Sequence, residues 1–210
     1  YLEDRTVSAK DDSALEMLVK LLRRNAEVAV AIGVATVIVV AAVALFQSTL
    51  ALFTADRLGV GPRTLGWIYG FVGVVSVVIQ GGVIGPLTRR FGAQSLTRIG
   101  AILVGVGMGC IPLSHSIGWL LFALGIFGVG SALFNPSMSG LVATAAEPHE
   151  RGSVLGAYQG AASMGRVIGP FAASGVASAS SLSIPFLVGA VVSLGGALLI
   201  HTRPKAEPPE

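Results

Sequence analysis

The stretch Val28–Phe53, which reads VAVAIGVATVIVVAAVALFQSTLALF, decides the fold class because it contains no charged residue and no proline. A helix needs roughly 20 mostly apolar residues to cross about 30 Å of hydrocarbon. Similar stretches recur along the chain between short polar or turn-forming segments, and the approximate spans are Val28–Phe53, Leu65–Leu87, Ile99–Leu113, Trp119–Ala143, Val154–Ala177 and Ile184–Ile200. The sequence therefore predicts an all-α membrane protein with six transmembrane helices packed as a bundle.

The amino-acid composition excludes an ordinary soluble protein. Of the 210 residues, 53% are hydrophobic and only 12% are charged, and the mean hydropathy is +0.78. An average soluble domain has about 25% charged residues. The net charge of +3 does not indicate a nucleic-acid partner, because the basic residues are divided among short loops and form no basic face.

The sequence contains no pattern typical of an enzyme or of a metal site. His115, His149 and His201 lie in separate loops or ends, and the single cysteine, Cys110, lies inside an apolar stretch. The serines lack the histidine and aspartate arrangement of a hydrolase, and the paired membrane aspartates of an intramembrane protease are missing. We therefore expect neither enzymatic activity nor a bound metal or other cofactor.

The chain opens on a polar segment, residues 1–26, without an initiating methionine, which we interpret as a cut inside a larger protein or as a processed end. Ser13 and Glu16 have the spacing of a capping box, and leucines follow at helical spacing. This pattern predicts a short amphipathic helix on the membrane surface, with a solvated linker as the alternative. Residues 27–201 are then the six-helix transmembrane domain, and residues 202–210 are a tail.

The distribution of basic residues predicts the orientation in the membrane. If residues 1–26 are cytoplasmic, the outer loops hold only Arg57 and Arg63. The cytoplasmic loops and tails then hold Arg5, Lys10, Lys20, Arg23, Arg24, Arg89, Arg90, Arg98, Arg151, Arg203 and Lys205. Cytoplasmic loops are enriched in Lys and Arg, so we expect both ends of the chain on the cytoplasmic side of a membrane, which we take to be the bacterial plasma membrane.

One cation, Arg166, belongs to neither set of loops. It lies roughly 22 Å along a helix from Arg151, at about 1.5 Å per residue. An arginine at the bilayer centre costs at least about 2.5–3.5 kcal/mol. Gln159, Ser163 and Pro170 share its helix face. We therefore expect this face to line a substrate cavity, and the alternative is a structural arginine bonded to carbonyl groups or to another helix.

Weaker polar stripes occur on three other spans. They comprise Tyr69, Gly73, Ser76 and Gln80 on the second span, Ser131, Asn135 and Ser139 on the fourth, and Thr36 and Gln47 on the first. Such residues often only bond one helix to another. Together with Arg166 they favour a polar path or pocket, and its candidate residues are Arg166, Gln159, Ser163, Gln80, Tyr69, Asn135 and Gln47.

The loop Gly85–Gly92, which reads GPLTRRFG, resembles the G-x-L-A-D-R-x-G-R-R signature of the major facilitator superfamily. The match is partial, because Arg89 occupies the acidic position and Ala93 and Gln94 replace the last two basic residues. Such degeneracy is typical of the second copy of this loop in these transporters.

The segments Glu150–Gly156 and Gly165–Pro170 are similar to the eleventh helix of the drug-efflux branch of that superfamily, the drug:proton antiporters. The resemblance implies that the chain is helices seven to twelve of a twelve-helix bundle that alternates access to a central site. It also implies gating roles for the loop and the Gly-Pro bend, with Gly85, Arg89, Arg90, Gly92, Arg151, Gly169 and Pro170 as the candidate residues.

The expected function is proton-coupled efflux of small apolar or amphipathic molecules. The expected partners are the N-terminal six-helix half of the same transporter, a small-molecule substrate and the lipid bilayer. Because the spans hold no acidic residue apart from Glu27 at the mouth of the first, the proton-carrying acid is expected in the other half. The alternatives are a uniporter or importer of sugars or organic anions on the same fold, and a six-helix membrane scaffold without transport.

Overall fold

The computed structural model of the chain describes residue 37 and residues 39–145, 148–179 and 182–201. The predicted amphipathic helix within residues 1–26 and the predicted tail, residues 202–210, lie outside these ranges. Within the described ranges every regular secondary-structure element is a helix, and there is no strand. The predicted all-α class is confirmed.

The described helices follow one another as six rods. In chain order they are α1 (Val39–Leu58), α2 (Pro62–Val78) continued through the π-helical segment Ile79–Val83 into α3 (Ile84–Phe91), α4 (Ala93–Cys110) ending in a 3₁₀ turn (Ile111–Leu113), α5 (Ile117–Ala145), α6 (Arg151–Ala179) and α7 (Ile184–His201). The rods of α1, α2–α3, α4 and α5 are long and apolar enough to cross a membrane by length and composition alone. The rod of α7 has a shorter apolar part, Ile184–Leu198, and α6 has 29 residues with a cation in its middle.

Two predicted loops are helical in the structure, so the predicted span ends there are wrong. Helix α1 continues past Phe53 to Leu58, and α3 continues past Leu87 to Phe91. In both places the chain turns only where a glycine takes a positive φ, at Gly59 (φ 61°) and at the residue after Phe91. Polar residues at the end of a transmembrane helix stay helical beyond the apolar stretch, because the backbone hydrogen bonds continue until a residue can leave the helical conformation.

The centre of the bundle is the crossing of α4 and α5, where glycines let the two backbones touch. A Cβ atom added at Gly130 would lie 2.6 Å from the Val104 nitrogen, and one added at Gly107 would lie 2.6 Å from the Phe127 nitrogen. In a bilayer, van der Waals contact contributes much of helix association, since lipid is as apolar as the side chains. Close approach of α4 and α5 therefore depends on these missing side chains.

An aromatic cluster joins α1, α5 and α7 beside this crossing. The ring of Phe46 lies 4.5 Å from that of Phe127 and 5.7 Å from that of Phe186, measured between centroids. The rings of Phe53 and Phe186 are 5.1 Å apart. These four rings are almost completely buried, and their tilted and edge-on arrangement is the one that aromatic pairs prefer.

Contacts between helices also fix their directions. A Cβ added at Gly125 of α5 would contact Phe71 of α2, and one added at Gly128 would contact Val75. The contacting residues therefore advance in the same direction along both helices, so α2 runs parallel to α5. The N-terminal ends of α2 and α5 therefore lie on the same side of the bundle.

Helix α2 is the least covered rod of the four. Only 6% of the most apolar part of Pro62–Phe91 is buried, whereas the corresponding parts of Val39–Leu58 and Ala93–Leu113 are 44% and 50% buried. Ile68 is the buried residue of α2 itself. The α2–α3 rod therefore lies along an edge of the bundle, where one side packs against α5 and the other is open.

Candidate functional site

All seven predicted cavity residues have exposed side chains in the structure. They lie on α1 (Gln47), α2 and its π segment (Tyr69 and Gln80), α5 (Asn135) and α6 (Gln159, Ser163 and Arg166). The six-helix bundle thus covers none of them. Their assignment to a cavity stays a prediction, because the residues that would complete such a cavity are not among those described.

A shallow groove of about 450 Å³ on the bundle is not this site. It is lined by apolar side chains of α2, α4 and α5, namely Phe71, Leu103, Leu121, Phe122, Gly125, Ile126 and Val129. None of these is a predicted cavity residue. An apolar groove on the outside of a membrane bundle has the chemistry of a lipid-facing surface, since acyl chains match its side chains.

The structure brings Tyr69 and Gln47 together. The Tyr69 hydroxyl donates a hydrogen bond to the backbone carbonyl of Gln47 at 3.2 Å, so it links α2, two turns after its start, to α1 at a point about 16 Å before the end of that helix. Gln80 lies about 16 Å further along the rod, at roughly 1.5 Å per residue. The predicted stripe of the second span is therefore spread over much of the helix.

The polar stripe on α5 is satisfied within its own helix. The Ser131 and Ser139 hydroxyls donate to the carbonyls of Phe127 and Asn135, each at 3.0 Å, and the Asn135 amide donates to the Ser131 carbonyl at 3.0 Å. These bonds run within α5, and Ser139 also lies near Tyr158 of α6. The helix contains Pro136, whose ring nitrogen cannot donate to the preceding turn.

Arg166 lies in the middle of α6 with an exposed side chain. Its Nη1 donates to the Ser163 hydroxyl at 3.5 Å, which is at the limit of a hydrogen bond. The structural alternative required bonds to carbonyl groups or to another helix, and no such bond to Arg166 occurs within the described ranges. Pro170 adds a further feature, because it leaves the backbone carbonyl of Arg166 without its usual partner.

The sequence did not single out Tyr158 of α6. Its side chain is half-buried and lies near the Ser139 side chain of α5 and the Arg166 side chain. The signal was a tyrosine two turns before a membrane-embedded arginine. It was overlooked because Tyr158 lies off the helix face that Gln159 and Arg166 share.

Gly165 and Gly169 hold α6 against α1. A Cβ added at Gly165 would lie 2.7 Å from the Val37 carbonyl oxygen, and one added at Gly169 would lie 2.6 Å from that of Ala41. Close helix packing therefore explains these two glycines. The predicted gating role of Gly169 and Pro170 stays a prediction, because a single conformation does not test it.

The remaining gating candidates lie at the opposite side from the α2 N-terminus. Arg89 and Arg90 form the last turn of α3, and the Arg90 guanidinium lies over the Phe91 ring at 5.6 Å from its centroid. Gly92 makes the turn into α4 with φ 78° and ψ 153°. Arg151, which is exposed, begins α6.

Replacing Gly92 with alanine is expected to destabilise the α3–α4 turn. Only glycine adopts this combination of φ and ψ readily, and a side chain there costs about 1–2 kcal/mol. Gly85→Ala is the matched control, because Gly85 is helical and a Cβ there would meet nothing within 4 Å. Thermal unfolding in detergent should show a lower midpoint for Gly92→Ala alone, and equal midpoints for the two variants would contradict the turn assignment.

The chain is similar to proteins of a known family. A family model described as the Major Facilitator Superfamily matches residues 32–210. Methyl viologen resistance protein SmvA of Salmonella typhimurium is 31% identical over 116 residues, which are 54% of this chain and 23% of SmvA. Multidrug resistance protein MdtH of Yersinia enterocolitica is 32% identical over 111 residues, which are 50% of this chain and 28% of MdtH.

A solved structure shows the same fold. The crystal structure of the human organic anion transporter MFSD10 matches with a TM-score of 0.74 and 20% sequence identity, and the match covers 81% of this chain and 40% of that one. The chain thus spans about a quarter of the length of SmvA and MdtH and two fifths of MFSD10. The chain belongs to the Major Facilitator Superfamily of multi-pass membrane transporters, which are not enzymes, and its helices form half of the twelve-helix bundle of that family.

Proposed function

We propose that this chain is the C-terminal half of an exporter that moves small apolar or amphipathic molecules across the membrane by alternating access. The observation that carries the proposal is Arg166 in the middle of α6, whose exposed side chain makes a long 3.5 Å bond to the Ser163 hydroxyl and no ion pair within the described ranges. If this part of α6 faced lipid, burying the charged guanidinium there would cost at least about 2.5–3.5 kcal/mol of free energy. A second six-helix half packed against this face would enclose the guanidinium in a water-filled cavity and remove that cost.

The uncovered rods supply the surface for that second half. Helix α2 has one buried residue, and α6 exposes Met164, Val167 and Phe171. The polar candidates occur on these same two helices and on α1 and α5. Substrate sites of such transporters lie near the bilayer midplane between the two halves, which fits the position of Arg166 roughly half-way along α6.

Proton coupling requires an acid within the membrane, and the described helices carry none away from their ends. Within the described ranges the acidic residues are Asp56 and Glu150. Asp56 is near the end of α1, and Glu150 precedes α6, so both lie at helix ends. The proton-carrying carboxylate of the proposed antiporter therefore belongs to the N-terminal half.

The proposed orientation has both ends of the chain in the cytoplasm of a bacterium. Arg89, Arg90 and Arg151 are exposed on one side of the bundle, as the positive-inside rule expects for the cytoplasmic side. The other side has Arg57 and Arg63. On the cytoplasmic side, the arginine pair at the end of α3 is the proposed latch between the halves.

Transport assays on the full-length protein test the proposal. Cells that express it should accumulate less of an amphipathic dye than cells without it, and a protonophore should abolish the difference. Efflux that persists in the protonophore would contradict proton antiport. Uptake of sugars or organic anions would favour the importer alternative, and absence of transport in reconstituted vesicles would favour the scaffold.

A further inference from the structure

We infer that the apolar groove between α2, α4 and α5 binds one glycerophospholipid of the surrounding membrane. An acyl chain of the lipid lies in the groove, and one of its ester or phosphate oxygens accepts a hydrogen bond from the indole N–H of Trp67. The inference goes beyond the proposed function, because it concerns the face of the bundle opposite the polar stripes and requires no transport.

The lining of the groove has the chemistry of a hydrocarbon site. Every lining residue of α2, α4 and α5 is apolar, and Gly125 has no side chain to occupy the space. A Cβ added at Gly125 would lie 3.7 Å from the Phe71 ring, so a longer side chain there would project into the groove. The lining side chains offer no hydrogen-bond partner to a polar ligand, and a hydrocarbon chain needs none.

The groove faces away from the polar stripes, against which the second half of the transporter is proposed to pack. On α2, Phe71 lines the groove and Tyr69 belongs to the stripe, and residues two apart are about 200° apart around a helix. On α5, Val129 and Ser131 have the same relation. A partner that covers the stripes therefore leaves the groove open to the membrane, where acyl chains are the surrounding medium.

The depth of the groove fits one leaflet of the bilayer. Along α5 its lining extends from Leu121 to Val129, which is about 12 Å at 1.5 Å per residue. Because α5 begins at Ile117, the lining lies about 6 to 18 Å from that end of the helix. Each leaflet contributes about 15 Å to a hydrocarbon core of about 30 Å. The groove thus follows the acyl-chain region on the side where α2 and α5 begin.

A hydrogen-bond donor stands at the mouth of the groove. Trp67 lies one turn before Phe71 on the same side of α2, and 75% of its surface is exposed. Its indole nitrogen has no hydrogen bond within the part of the chain that the structure describes. By contrast, the Trp119 Nε1 donates to the Cys110 carbonyl at 3.1 Å. Tryptophan N–H groups at the membrane boundary normally find an acceptor, and the ester and phosphate oxygens of a lipid lie at that level.

A second copy of this chain is the competing occupant of the groove. An apolar helix of that copy could fill the space between α2, α4 and α5. It would cover Trp67 without an acceptor for the indole N–H, and an unmatched donor away from water is costly. The free donor therefore favours a lipid over a helix.

The experiment uses the full-length protein in detergent, with phosphatidylglycerol that carries a photoreactive diazirine midway along one acyl chain. After irradiation, labelled residues are mapped by peptide mass spectrometry. We expect labelling of Phe122 and Ile126 that excess unlabelled phosphatidylglycerol suppresses. Val191 of α7 is the internal reference, because it is 70% exposed and lies outside the groove. Its labelling should be insensitive to the unlabelled lipid.

Two variants test the two parts of the site. Gly125→Leu fills the groove and should abolish the suppressible labelling. Trp67→Phe keeps the ring but removes the donor, so the half-saturating concentration of the lipid should rise by about tenfold. The matched control is Gly140→Leu, about 22 Å further along α5, where a Cβ would meet nothing within 4 Å. This variant should label as the wild type does.

Three results would overturn the inference. They are labelling of the groove that is no more suppressible than that of Val191, labelling that Gly125→Leu leaves unchanged, and cross-linked dimers in place of lipid adducts. An unchanged half-saturating concentration in Trp67→Phe would remove Trp67 from the site. Since no transport is measured, a failure of the proposed function would leave these results unaffected.

Discussion

Arg166→Ala in the full-length transporter is expected to reduce substrate transport by about tenfold to hundredfold. The reason is the loss of charge-assisted hydrogen bonds to the substrate, which contribute about 1.5–3 kcal/mol, and each 1.4 kcal/mol is about a factor of ten in affinity. Because the side chain is exposed and bonded only weakly to Ser163, the folded bundle should be unaffected. Concentration-dependent transport in proteoliposomes, with thermal unfolding alongside, separates the two effects.

Two further variants sharpen this result. Arg166→Lys keeps the charge but loses the planar donor pair, so it should retain part of the transport activity. Arg63→Ala removes an exposed cation from the first turn of α2, outside the proposed cavity, and should transport at the wild-type rate. If Arg166→Ala transports with unchanged rate and affinity, Arg166 does not line the cavity.

Gly130→Val is expected to have the largest effect on stability, with a loss of about 3 kcal/mol in the free energy of unfolding. Even the first added atom would lie 2.6 Å from the Val104 nitrogen and 2.9 Å from the Gly100 carbonyl oxygen. These neighbours are backbone atoms, which cannot turn aside as a side chain can. The α4–α5 pair must therefore separate, and the well-packed core beside it must open.

The control for this substitution is Gly140→Val on the same helix. A Cβ at Gly140 would meet nothing within 4 Å. Gly140→Val therefore changes the helix propensity by the same amount as Gly130→Val but creates no steric clash. Size-exclusion chromatography after heating should show aggregated Gly130→Val at temperatures where Gly140→Val stays monodisperse. Similar behaviour of the two variants would show that α4 and α5 do not pack as closely as described.

The sequence predicted the all-α class but not where the described helices end. Apolar runs measure the length of chain that must lie in hydrocarbon, so they indicate where a helix lies but not its last residue. Helices α1 and α3 continue past that stretch to Leu58 and Phe91. The π-helical segment Ile79–Val83 was not predicted either, because a stretch of wider helix has the same apolar pattern as its neighbours.

The candidate site was predicted less completely than the fold. Arg166 was identified because a cation inside an apolar stretch stands out in a sequence. Tyr158 was missed because it lies off the helix face that Gln159 and Arg166 share, and its nearness to Ser139 of α5 depends on packing that a single sequence does not reveal. The self-bonded α5 stripe shows the opposite case, in which a polar pattern has a local structural explanation.

The parallel course of α2 and α5 has an optical consequence. The chain has two tryptophans, and Trp67 and Trp119 both lie near the N-terminal ends of these helices, with 75% and 44% of their surface exposed. Both indoles therefore lie at a similar depth in the membrane. Tryptophan is enriched at the boundary between headgroups and acyl chains, which fits this position at the helix ends. The ultraviolet emission of this chain reports on a single leaflet, so a change at the arginine-rich side would leave it unaltered unless the motion reaches across the bilayer.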